Sequence, residues 1–220
     1  VALGNDIVDL TDSFAREKGR CRRYASRILS AREFEWWEES ADPGRFLWAC
    51  WSVKEAAYKA FRKIAGPLTF LPKKIGMTEY PRVQDRENRG TIGTPWGDAR
   101  FRLFFRDSYV HALCGGPARI DILERTQWRV EEMKTGGDGR DGGYPVDASR
   151  EVRRAAAVAL APVLGVREEE IRILRDRGDT GSPVPRLLVG GREHPADLSL
   201  SHDGRYVAFA FTAWLRQPGT

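Results

Sequence analysis

Between Pro43 and about Ile64 the apolar residues Phe46, Cys50, Val53, Ala57, Ala60 and Ile64 recur at spacings of three and four. That is the period of an α-helix with one buried face, and a helix this long needs a broad apolar surface to lie on. Pro43 suits a first helical turn, and Gly66-Pro67 marks the end. Short segments elsewhere supply the partner surface. Leu3 to Leu10 reads as a strand. Arg22 to Leu29 reads as a short helix, and Ser30 with Glu33 three residues on forms a capping box ahead of Phe34-Glu-Trp-Trp. From Met77 to about Arg125 strands are expected, at Ala99–Phe105, Ser108–Cys114 and Arg119–Leu123, separated by Gly, Asn and Pro. A second helical pattern begins near Ser149, and strands are expected near Ile171–Leu174, Arg186–Val189 and Tyr206–Thr212.

The stretch Thr135-Gly-Gly-Asp-Gly-Arg-Asp-Gly-Gly-Tyr-Pro145 reads as a linker. A short echo spans it, since Ser108-Tyr-Val-His-Ala-Leu-Cys resembles Arg205-Tyr-Val-Ala-Phe-Ala-Phe, and each half sets a helix before its strands. The expected class is therefore α+β, with two pseudo-equivalent lobes that each pack a small antiparallel sheet with a long helix. The lobes are expected at 1–134 and 148–220, joined by 135–147.

With 220 residues, 41% of them hydrophobic, seven Trp and ten Phe, the chain has enough to bury a sizeable core. Its apolar runs fall short of the roughly 20 residues that cross a bilayer, so no membrane partner is expected. The N-terminus shows no secretory pattern, and Cys21, Cys50 and Cys114 lack metal-ligand spacing. They read as reduced thiols in a cytoplasmic protein. The net charge of +5 favours an anionic partner. The 36 basic residues are spread among 31 acidic ones with no basic stripe, which argues against nucleic acid.

Three segments carry chemistry. In Trp51-Ser-Val-Lys-Glu-Ala-Ala-Tyr-Lys-Ala60, Trp51, Glu55, Tyr58, Lys59 and Arg62 fall opposite the apolar stripe, and Glu55 and Lys59 are neighbours at i,i+4. A solvated ion pair and a functional face both fit that spacing, but Trp51 on that face calls for a covering group. In Gly4-Asn-Asp-Ile-Val-Asp9, Asp6 sits inside an apolar strand that disfavours it. It reads either as a cap on a turn or as a metal ligand, and magnesium takes one or two carboxylates plus phosphate oxygens. Asp9 should point to the other face. In Leu198-Ser-Leu-Ser-His-Asp-Gly, Ser201 and His202 fit a hydrolase poorly, because adjacent strand residues alternate faces. They read as phosphate donors or as a satisfied turn.

Together these segments resemble the 4′-phosphopantetheinyl transferase superfamily, whose pattern is Gly-x-Asp-Ile-Val, then Trp-x-x-Lys-Glu-Ala-x-x-Lys-Ala, then Ser-Leu-Ser-His. The match falls on Asp6, on Trp51, Lys54, Glu55, Ala56, Lys59 and Ala60, and on Ser201 and His202; residues 66–100 carry little of it. The motif order resembles the trimeric holo-acyl-carrier-protein synthases, whereas the length resembles the two-lobed monomeric type, so the chain reads as a circularly permuted two-lobed protein or as a synthase with an insertion. Permutation, and hence a monomer, is the expectation, with a homotrimer as the alternative.

The resemblance implies a Mg²⁺-dependent transfer of the phosphopantetheine arm of coenzyme A to a serine of an acidic acyl or peptidyl carrier protein, releasing 3′,5′-ADP. The resemblance leaves open whether that carrier belongs to fatty-acid, polyketide or non-ribosomal peptide synthesis. Asp6 and Glu55 are the implied metal ligands, and Glu55, Lys59 and Asp6 the implied catalytic groups. Ser201, His202, Lys54 and Lys59 are the implied coenzyme A contacts. The Gly-Lys-Pro of the family is Gly181-Ser-Pro here, so Arg186, Arg153 or Arg154 is expected to take over the 3′-phosphate. A degenerate binder of coenzyme A or carrier protein is the alternative. Trp36, Trp37 and Trp48 are candidates for a carrier surface, although core packing accounts for them more readily.

Overall fold

Gly4 sets how closely the first strand lies on the long helix. An added Cβ there would stand 1.9 Å from the carbonyl oxygen of Ala56 and 2.9 Å from the amide nitrogen of Ala60. The computed structural model describes residues 2–117, 121–133, 147–175 and 184–212. The expected linker lies outside these residues, except for Asp147, whose side chain caps the second long helix.

In chain order, β1 (Leu3–Asp9) is followed by α1 (Ser13–Gly19), α2 (Arg22–Ile28), α3 (Ala31–Glu39) and α4 (Pro43–Ala65). Then come β2 (Gly76–Met77), β3 (Glu87–Thr94), β4 (Gly97–Phe105), β5 (Tyr109–Gly115), α5 (Asp121–Arg125) and β6 (Gln127–Glu132). The last part holds α6 (Ala148–Leu164), β7 (Ile171–Arg175), β8 (Pro185–Val189), β9 (Arg192–Glu193), β10 (Asp197–Asp203) and β11 (Tyr206–Thr212). The expected capping box is present at Ser30 and Glu33, and the Asp42 carboxylate caps α4 by accepting from the Arg45 amide. The α4 stripe is buried from Phe46 to Ala60, whereas Ile64 projects past the sheet and is half exposed.

Two antiparallel sheets share one connectivity. One runs in the order β1-β5-β4-β3-β2, and the other in the order β10-β11-β6. In each, the strand that precedes the long helix pairs with the strand that ends the unit: β1 with β5, and β6 with β11. The fold is α+β, with α4 packed on the first sheet and α6 on the second. A further small sheet has the order β7-β8-β9. The sequence echo falls on β5 and β11. Each begins with a Tyr after a two-residue turn, and the Tyr109 and Tyr206 rings meet at 5.0 Å. Gly204 supplies the positive φ of the second turn.

One expectation changes. The strand expected at Arg119–Leu123 is the short helix α5 over its described part, which turns Ile122 and Leu123 together into a pocket beside Leu3, Phe104 and Leu113. The strand follows instead as β6, whose polar, half-exposed residues hide its character. Trp37 and Trp48 are core residues, with ring nitrogens donating to the carbonyls of Gly19 and Ala15. Trp36 is partly buried against the same core. No described helix is long and apolar enough to cross a membrane.

Gly4→Ala is expected to cost at least about 3 kcal/mol, because the obstructing atoms are backbone on both sides. Urea unfolding reads this directly, and a loss below about 1 kcal/mol would contradict the close approach.

Candidate functional site

The face of α4 opposite its apolar stripe carries Glu55, Tyr58, Lys59, Arg62 and Lys63. These line a cleft of about 410 Å³ with Val184, Pro185, Ser199, Leu200, Ser201 and His202. Helix and β10 thus meet across one space, although their residues lie some 140 positions apart in the chain. A neighbouring cavity of about 320 Å³ shares Glu55 and His202 with the cleft. It adds Asp6, Asp12 and Asp203 beneath an aromatic wall of Phe14, Tyr24, Trp48 and Trp51.

Lys59 ties the two acidic motifs together. Its ammonium donates to Asp6 Oδ1 at 2.7 Å and to the Asn5 carbonyl at 3.1 Å. Burial pushes the Asp6 carboxyl up, and the Lys59 charge opposes that shift. Glu55 is pushed up to about 7, first by burial and then by the negative charge of Asp6, with Lys59 again opposing. Asp203 is pushed up to about 6, mainly by burial. Two crowded carboxylates that resist ionising together fit a hard divalent cation, which would remove their repulsion. Among the described residues no group of three or more acidic, His or Cys side chains could hold a metal. Asp6 and Glu55 would then be the protein's share, with ligand oxygens and water completing the shell.

Ser201 is buried, and its hydroxyl has no hydrogen-bond partner among the described residues, although it lines the cleft. A buried hydroxyl left in that state costs free energy unless something fills the gap. His202 is exposed on the same rim.

The other expected contacts are placed elsewhere. Lys54 lies about 100° round the helix from Glu55, on the buried side. Its ammonium is fully buried and donates to the carbonyls of Ile28 and Pro72, and it pairs with Glu33 at 2.6 Å. All three of its protons are therefore used inside the fold, and it cannot reach the cleft. Arg153 donates to Ser149 and faces a separate depression with Arg150, Arg154 and Arg172. Arg154 pairs there with Glu151. Arg186 follows cleft-lining Pro185 but turns to Glu193 at 2.8 Å. Asp9 accepts from Thr11 and from the Arg205 amide, and lines neither cavity. Arg62, expected on this face, lines the cleft, and Lys63 is the cleft cation that motif reading passed over. Its spacing from Lys59 was the available signal, since residues three and four apart share a helix face.

Compared with known proteins, residues 2–114 match the profile of the 4′-phosphopantetheinyl transferase superfamily. A holo-acyl-carrier-protein synthase of Salmonella arizonae is 44% identical over 61 residues, which is 28% of this chain and 47% of that protein. One of Yersinia pestis is 41% identical over 92 residues, which is 42% of this chain and 68% of that protein. The chain spans about half the length of most of the curated relatives it matches. The solved holo-acyl-carrier-protein synthase of Thermotoga maritima is 18% identical with a TM-score of 0.38, covering 62% of this chain and 80% of that one.

The raised Glu55 carboxyl sets a pH dependence. Its folded value of about 7 exceeds its ordinary value of 4.5, so its contribution to stability is full below the ordinary value and is lost as pH rises through the folded one. In metal-free protein, Glu55→Gln should therefore flatten the fall in melting temperature between pH 5 and pH 8. Millimolar Mg²⁺ should raise the wild-type melting point at pH 8 and leave Glu55→Gln unmoved. Superimposable profiles for the two proteins would contradict the crowded pair.

Proposed function

Because the chain belongs to the 4′-phosphopantetheinyl transferase superfamily, we propose that it moves the 4′-phosphopantetheine arm of coenzyme A onto a serine of an acidic acyl or peptidyl carrier protein and releases 3′,5′-ADP. The observation that carries the reading is the shared cleft: Glu55 and Lys59 of α4 face Ser201 and His202 of β10, with Asp6 bound to Lys59 beside them. The basic edge, Lys59 with Arg62, suits the phosphates of coenzyme A.

Asp6 and Glu55 would hold the magnesium ion, which when bound supplies positive charge for the pyrophosphate. Ser201 and His202 hold phosphate oxygens, and the unpartnered Ser201 hydroxyl suits that role. The carrier serine attacks the β-phosphorus. Its oxygen forms the new P–O bond, its proton passes to Glu55, and the bond to 3′,5′-ADP breaks. Lys59 lies where it offsets the charge that gathers on the leaving phosphate. The net charge of +5 would speed encounter with an acidic carrier. The reading takes 1–134 and 148–220 as two lobes of one cytoplasmic monomer in permuted order, so that a single chain supplies both sides of the cleft.

The test is the intact mass of an apo carrier protein after incubation with this protein, coenzyme A and Mg²⁺. A gain of one phosphopantetheine, abolished by EDTA, is expected. Coenzyme A binding without a gain across several carriers would point to a degenerate binder, and no binding at all would overturn the reading. Asp6→Ala and Glu55→Ala should each lower transfer by about 10²–10³-fold with the melting point preserved. His202→Ala should raise KM for coenzyme A by about tenfold or more while kcat holds.

A further inference from the structure

β1 is the terminal strand of its sheet, with β5 on one edge and, among the described residues, no strand hydrogen-bonded to the other. Strand amides alternate in direction, so the amides of Leu3, Asn5, Ile7 and Asp9 all point out of that open edge. Three of them are met by side chains of β10, which runs parallel alongside. Leu3 donates to Asp197 Oδ2 at 2.6 Å, Asn5 to Ser199 Oγ at 2.8 Å, and Asp9 to Asp203 Oδ2 at 2.8 Å. The separation in sequence is 194 residues at each rung.

By the same offset Ile7 would meet Ser201. That rung is not made, and the Ser201 hydroxyl is left without a partner among the described residues at the wall of the cleft. The ladder is thus interrupted at the residue that faces the ligand space.

Register decides which hydroxyl falls at that gap. A slip of one residue would turn Leu198 and Leu200 to the β1 edge and pull acceptors into the apolar core against α6, so it is excluded. A slip of two keeps the alternation and moves Ser199 to the gap. Against that alternative stands Lys63, whose ammonium donates to the Leu3 carbonyl, to Asp197 Oδ1 and to the Leu198 carbonyl. All three of its protons are spent, so although it lines the cleft it acts as a pin between α4, β1 and β10. A two-residue slip would strand this buried charge.

We propose that Asp197, Ser199 and Asp203, pinned by Lys63, are positioning residues that hold Ser201 and His202 opposite Asp6 and Glu55. This rests on the proposed transfer reaction. The test combines steady-state kinetics with NMR exchange of the Asn5 amide. Ser199→Ala removes one rung. It should speed exchange at Asn5 and raise KM for coenzyme A about fivefold to tenfold, with kcat within about twofold of wild type. Ser199→Thr, which keeps the hydroxyl, should restore both. Lys63→Met, assayed where it remains folded, should show the same rise in KM. Faster Asn5 exchange with an unmoved KM would overturn the positioning role and leave the transfer reaction standing. A wild-type protein that neither binds nor consumes coenzyme A would overturn the transfer reaction first, and the positioning role with it.

Discussion

Most of the molecule is organised by what borders β1. On one edge it is laddered to β5, on its face it lies against α4 at the closest approach a glycine permits, and on its other edge it meets the side chains of β10. An exposed strand edge is normally a hazard, because unpaired amides invite other strands. Here three of them, at Leu3, Asn5 and Asp9, are satisfied without extending the sheet. The consequence is geometric: two sheets that would otherwise be separate are held edge to edge, and the space between α4 and β10 becomes a cleft rather than a core.

The electrostatics of the cleft follow from that closeness. Three lysines of one helix, at positions 54, 59 and 63, have three different fates set by direction alone. Lys54 is swallowed by the fold and neutralised by Glu33, Lys63 is spent on the seam, and Lys59 reaches Asp6 at the cleft. Buried ion pairs of the first two kinds add little net stability, but they are costly to break, and that favours one arrangement over its neighbours. Glu55 is left crowded against Asp6 and raised to about 7, a condition that a bound cation would relieve.

Much of this was legible in the sequence. The α4 stripe, the capping box at Ser30 and the echo between β5 and β11 rest on local periodicity and local hydrogen bonds, which a sequence displays directly. The grouping of Glu55, Lys59, Ser201 and His202 on one cleft was indicated only by motif resemblance, because no local rule brings residues so far apart together. What failed to show had long-range causes. Lys54 stands in the same motif as Glu55 and turns the other way because Ile28, Glu33 and Pro72 surround it. The segment at Ile122–Leu123 becomes a helix because its pocket needs two adjacent apolar residues on one side, against the alternation of a strand. The roles of Asp197 and Ser199 depend on a strand 194 residues away.

On the proposed reading, donor phosphates and a divalent cation would share the space between β1, α4 and β10. Anomalous diffraction at a manganese edge, from crystals grown with Mn²⁺ and coenzyme A, tests it most directly. A peak beside the Asp6 and Glu55 carboxylates, with pyrophosphate density near Ser201 and His202, is the expected result. A peak elsewhere, or coenzyme A bound away from this cleft, would contradict it.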